Sequence, residues 1–112
     1  MKIAYTAGSY RASTEYGLVQ NIRKAEAVAI ELWKMGYAVI CPHKSTAHLG
    51  GIVDDEIFLN GCIEIVSRCD LIVMLEEWEN SEGARMELTQ AEMCDISVFY
   101  WPKDQNKLKS FV

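Results

Sequence analysis

The chain has no apolar run approaching the ~20 residues that cross a bilayer, which excludes a transmembrane helix. It has no cluster of Lys or Arg; with 11 basic against 16 acidic residues the net charge is −5, which argues against binding a nucleic-acid backbone or an anionic membrane surface. The four cysteines, Cys41, Cys62, Cys69 and Cys94, form no Cys-x-x-Cys pair, so reduced thiols are expected and not a disulfide framework. Cys41, His43 and His48 fit no common zinc spacing, and neither a metal nor a cofactor is expected. No signal-peptide pattern, internal repeat or low-complexity tract is found, and a cytoplasmic location is expected.

What is present is an alternation of short apolar runs and amphipathic stretches. Residues 2–7 alternate and then turn apolar into Gly8-Ser9-Tyr10-Arg11, so the first element reads as a strand ending in a Gly/Ser loop. Residues 14–35 carry Leu18, Ile22, Ala25, Ala29 and Leu32 on one helical stripe, ended by Gly36. A second strand follows at 37–41, closed by Pro42, and 43–51 read as a polar loop. A helix from Asp54 to about Arg68 starts with acidic residues where the helix dipole favours them, and Gly61 within it suggests a close approach. Residues 70–75 form a strand buried on both faces, and 97–101 a fourth strand before Pro102. The expected fold is an α/β three-layer Rossmann- or flavodoxin-like sandwich, βαβαβαβ, with a four-stranded parallel sheet over residues 1–102. Residues 103–112 read as a polar C-terminal tail. So small a sheet leaves helix surface to cover, and a homodimer or larger homo-oligomer is expected, with Trp33 and Trp101 as interface or core residues.

The chemistry concentrates where strands end. Ser81-Glu82-Gly83-Ala84-Arg85-Met86-Glu87-Leu88 opens a helix whose Ala84, Leu88 and Ala91 face the sheet. Glu87, three residues after Ala84, shares that inward face. A carboxylate there needs a partner or a cavity, so it is either half of a structural ion pair or a site residue, and the pattern alone leaves both open. Gly83 and Ser81 leave the helix N-terminus accessible to a ligand, or Ser81 simply caps it. Gly8, Ser9 and Arg11 offer close backbone approach, a hydroxyl and a planar fork for phosphate, against the plainer reading of a strand-to-helix turn. His43 and His48 lie on the same rim as candidates for a base or sugar, or as solvated loop histidines.

Taken together, Tyr5-Thr6-Ala7-Gly8-Ser9-Tyr10-Arg11 resembles the Tyr-x-x-Gly-Ser-x-Arg phosphate loop of the 2′-deoxynucleoside 5′-monophosphate N-glycosidases. Ser81 to Leu88 resembles the Ser-x-Gly-x-x-x-Glu-Leu segment that carries the nucleophile of the wider nucleoside 2-deoxyribosyltransferase superfamily. The resemblance spans nearly the whole chain and is closest to short bacterial and bacteriophage members. It implies a nucleoside or nucleotide N-glycosidase or deoxyribosyltransferase acting on a small molecule, with Glu87 attacking the anomeric carbon and Tyr5 positioning it. It further implies that Ser9, Arg11, Ser81 and Gly83 hold a 5′-phosphate and that Trp78 stacks on the base. The family places an Asp eight residues before the Asp that opens the third strand; counting back from Asp70 reaches Cys62. A thiol is a poor substitute for that carboxylate, so the alternative is a non-catalytic protein that senses or sequesters a nucleotide or an ADP-ribose-like signal.

Overall fold

The computed structural model describes residues 1–112. Four parallel strands, β1 (Ile3–Ala7), β2 (Ala38–Ile40), β3 (Leu71–Met74) and β4 (Ser97–Tyr100), pair in the order β2-β1-β3-β4. The period-2 geometry of a strand sorts their side chains to two faces. Ala4, Leu71 and Val73 join one core; Tyr5, Ala7, Ile72 and Met74 join the other. Both faces are apolar, so both must be covered.

Helix α1 (Glu15–Met35) covers the first face through Ala25, Val28 and Leu32. Thr14 caps it by accepting from the Gly17 N–H at 2.9 Å, and Gly36 ends it in the left-handed region at φ 107°. Helices α3 (Asp55–Val66) and α4 (Glu82–Met93) cover the second face, with Val66, Ala84, Leu88 and Ala91 packed against the sheet. The result is the three-layer α/β sandwich expected from the sequence.

Three local expectations are corrected. Residues 42–45 are not loop but a helical turn, α2 (Pro42–Ser45), because Pro42 supplies a preset φ at the first helical position, where no N–H is needed. A Cβ on Gly61 would meet nothing within 4 Å, so that glycine marks no close approach. The polar tail contains helix α5 (Gln105–Phe111), whose Leu108 is fully buried in the α1 core. The Tyr37 hydroxyl donates to the Leu108 carbonyl at 2.5 Å, and the Tyr100 N–H donates to the Asp104 carboxylate at 2.8 Å. Trp101 packs on this same core, whereas Trp33 is 56% exposed on α1.

Because Leu108 fills a closed space, Leu108→Ala is expected to cost about 2–5 kcal/mol by loss of buried surface and the cavity left behind. A denaturant midpoint lowered with unchanged slope checks it; a tail that merely lay on the surface would shift nothing.

No helix is long and apolar enough to cross a membrane. Since all four strands run the same way, the segments leaving β1, β2 and β3 gather on one edge. After β1 the chain goes to β2 on one side, then to β3 on the other, and a crevice opens outside the carboxyl ends at such a reversal. Gly8 stands where that crevice begins. A Cβ there would come within 2.8 Å of the Leu75 side chain, so only glycine lets the loop after β1 pass the end of β3.

Candidate active site

Helix α4 begins at Ser81, whose Oγ accepts from the Ala84 N–H at 3.1 Å. That start fixes the phase of the helix and turns Glu87 toward the sheet beside Ala84 and Ala91, leaving it 8% exposed. The Tyr5 hydroxyl, from the middle of β1, donates to Glu87 Oε2. Tyr5 is completely buried and reaches the carboxylate from beneath. The Cys62 thiol of α3 stands next to the same hydroxyl. A carboxylate, a phenol and a thiol, with no cation among them, thus meet between β1, α3 and α4.

Burial dominates the electrostatics of this group. Lost hydration pushes the Glu87 carboxyl up to about 7, against which the Tyr5 hydrogen bond pulls down. Tyr5 is driven far above the ordinary phenol range by burial first and the Glu87 charge second. Cys62 is raised mainly by burial. Near neutral pH the phenol and thiol keep their protons, and Glu87 alone titrates.

Glu87 opens onto a cavity of about 1150 Å³, bounded by the loop after β1, α2, and the starts of α1, α3 and α4. Gly8, Ser9, Arg11, His43, Ser81 and Gly83 all line it. His43 is buried, and its Nε2 lies 3.0 Å from the Ser9 carbonyl. A carbonyl only accepts, so Nε2 carries the proton and Nδ1 is left an acceptor without a partner. Burial lowers the His43 pKa and keeps the ring neutral. Arg11 is paired with Asp55 across the rim, both side chains being well exposed, so the pair adds little stability.

Two site residues expected from the sequence lie off the wall. Tyr5 sits behind Glu87 and touches the cavity only through it. Trp78, in the turn before α4, packs on the Tyr100 ring at a centroid distance of 6.1 Å and joins the core beneath α4, so it presents no stacking face to the cavity. Sequence reasoning missed Thr6, Phe58, Leu59, Glu15 and Glu56, which do line it. Phe58 and Leu59 were legible as apolar α3 residues; their position next to the strand-end loops was the available signal. No group of three or more His, Cys, Asp or Glu side chains is arranged to hold a metal ion.

The sequence pattern described as Domain of unknown function (DUF4406) matches residues 4–100. The chain belongs to this family. Among solved structures, the DUF4406 chain is similar to one published as "Characterization of 2-deoxyribosyltransferase from psychrotolerant bacterium Bacillus psychrosaccharolyticus: a suitable biocatalyst for the industrial synthesis of antiviral and antitumoral nucleosides". The likeness has a TM-score of 0.63 at 16% identity and covers 88% of this chain and 70% of that one. The DUF4406 chain therefore has a nucleoside 2-deoxyribosyltransferase-like fold. No curated protein matches it by sequence.

Proposed function

We propose that the chain cleaves, or transfers the sugar of, an N-glycosidic bond in a small nucleoside or nucleotide, with Glu87 as nucleophile. The observation that carries this reading is a buried carboxylate at the base of a strand-end cavity, held by Tyr5 and by no cation. A structural ion pair, the plainer reading of Glu87, has no cationic partner here.

In this reaction a Glu87 oxygen attacks the anomeric carbon, the C1′–N bond breaks, and its electron pair leaves with the base. The resulting glycosyl ester is opened by water, giving the free sugar, or by a second base, giving transfer. Tyr5, by fixing Oε2, orients the carboxylate for attack. Gly8, Ser9, Arg11, His43, Ser81 and Gly83 line the space for the sugar and its 5′ substituent. The assignment is tested by incubating the protein with a panel of nucleosides and 5′-monophosphates, then following free base by chromatography and the intact protein mass for a glycosyl adduct at Glu87. Absence of both across the panel sinks it.

A specific observation favours a second reading. Cys62, standing where a family carboxylate is expected, puts a thiol and not a second carboxyl against the Tyr5–Glu87 pair, as suits a protein that binds a nucleotide or ADP-ribose-like signal without turning it over. Recovery of intact nucleotide from the purified protein, with no free base formed, favours that alternative. For assembly, we propose a homo-oligomer using the exposed Trp33 face of α1, and sedimentation of Trp33→Glu against wild type tests it.

Gly83 gives a probe that separates ligand from packing. A Cβ there would make only ordinary contacts, 3.6 Å to Leu59 and 3.9 Å to the Ser81 hydroxyl. Gly83→Ala is thus expected to leave stability unchanged or raise it by up to ~1 kcal/mol, as alanine replaces glycine in a helix, while lowering kcat/KM or ligand affinity at least several-fold. A thermal melt and a ligand titration on the same sample check the two halves.

A further inference from the structure

We infer that the cavity selects nucleosides whose base already carries a positive charge and whose sugar carries no 5′-phosphate, the N-alkylated purine nucleosides being the representative class. This inference rests on the glycosidase reading above and deepens it. Three observations converge on it.

The first is the charge of the wall. Glu15, Asp55, Glu56, Glu82 and Glu87 line the cavity, and Arg11 is the only Lys or Arg among the lining residues. Its guanidinium is already engaged by Asp55. A 5′-phosphate would have to displace that carboxylate and then sit among the others, whereas a cation entering the same space gains attraction from all of them.

The second concerns the leaving group. As the C1′–N bond breaks, a neutral base takes the bond pair and needs a proton. The proton-bearing groups packed beside Glu87 are the Tyr5 hydroxyl and the Cys62 thiol. The first is committed to Glu87, and both are weak acids at neutral pH. A base that starts as a cation takes the same electron pair and departs neutral, with no proton transferred. The missing carboxylate at position 62 then costs nothing. Water next adds its oxygen to C1′, Glu87 is released as carboxylate, and the water proton passes to solvent.

The third is that the wall is unsatisfied. His43 is more than nine-tenths buried on it, and its Nδ1 has no hydrogen-bond partner, whereas Thr6, equally buried, has the Cys41 thiol beside its hydroxyl. A buried polar atom such as Nδ1 calls for a ligand or ordered water. His43 Nδ1, fixed as an acceptor by its partner Ser9, suits a sugar hydroxyl or an exocyclic amino group.

The test compares 7-methyl-2′-deoxyguanosine, 2′-deoxyguanosine and 2′-deoxyguanosine 5′-monophosphate at neutral pH, each rate being divided by that of its own uncatalysed hydrolysis. The methylated nucleoside is expected to show kcat/KM at least ~100-fold above the other two, since a positioned general acid contributes about that factor or more and none is present. Its enhancement over the uncatalysed reaction should be no smaller than theirs. Added salt should raise its KM and leave that of the neutral nucleoside unchanged. The double substitution Glu56→Gln with Glu82→Gln should raise KM several-fold for the cation and less for the neutral nucleoside. A larger enhancement for 2′-deoxyguanosine, or a preference for the monophosphate, overturns the inference and leaves the glycosidase reading standing. If none of the three is cleaved, nor any member of the wider nucleoside and nucleotide panel, both fall together.

Discussion

Replacing Glu87 by glutamine is expected to reduce base release by on the order of 10³-fold or more, because the amide cannot form the glycosyl ester through which the displacement is divided into two steps. The substitution is close to isosteric, and the Tyr5 hydroxyl, which donates to Oε2, can donate equally to an amide oxygen. Binding should therefore persist while chemistry is lost: kcat falls, KM changes little, and the protein mass shows no glycosyl adduct. Single-turnover measurement with enzyme in excess isolates the chemical step. Tyr5→Phe makes a useful contrast. It removes the orienting donor but keeps the ring in the core, so kcat should drop less than for the glutamine variant, by about 10-fold to 100-fold. If Glu87→Gln retains base release, a different residue carries the attack, and the burial of Glu87 is structural.

Much of this arrangement was legible in the sequence, for identifiable reasons. β3 is apolar on successive residues, which only a strand covered on both faces tolerates, and that placed the sheet in the middle of three layers. The inward phase of Glu87 followed from its spacing to Ala84 and Ala91, a local property of one helix. The slot counted back from Asp70 leads to Cys62, whose thiol stands beside Tyr5. What the sequence concealed depends on long-range packing. Helix α5 offers only Leu108 and Phe111 as apolar residues, too few to mark an amphipathic stripe, and its docking is set by Tyr37 and Lys2 far away in the chain. Trp78 neighbours the site in sequence but is rotated onto Tyr100. Arg11, taken alone, suggests a phosphate; its engagement with Asp55, and the gathering of acids from the starts of α1, α3 and α4, exist only once the fold brings those helix ends to one edge.

The second large effect is a pH dependence in which stability and activity run in opposite directions. In the folded protein the Glu87 carboxyl is pushed from 4.5 up to about 7, chiefly by burial. Its folded pKa thus exceeds its unfolded one, and between these two values the native state holds a proton that the unfolded chain has released. The stability this proton contributes is complete below about pH 4.5 and is lost as pH rises through about 7; at ~1.36 kcal/mol for each pH unit separating the two values it is about 3 kcal/mol. For a domain of this size that amounts to a fall of roughly 10 °C in Tm between mildly acidic and mildly alkaline solution. Glutamine at position 87 mimics the protonated form, so the variant should lack this slope and be more stable than wild type at pH 8. Subtracting the Tm profile of the variant from that of wild type removes the titration of other groups, including Glu26, which Lys44 shifts in the opposite sense. As the proposed nucleophile, however, Glu87 must be ionised, so base release by wild type should climb with pH through about 7, over the interval in which the fold weakens. Bound substrate that neutralises the charge should reduce the loss, making ligand-induced stabilisation larger at pH 8 than at pH 5. Melting curves and initial rates across that range decide the matter: a wild-type Tm profile parallel to that of the variant means that Glu87 is ionised at no cost and lacks the buried character on which its role depends.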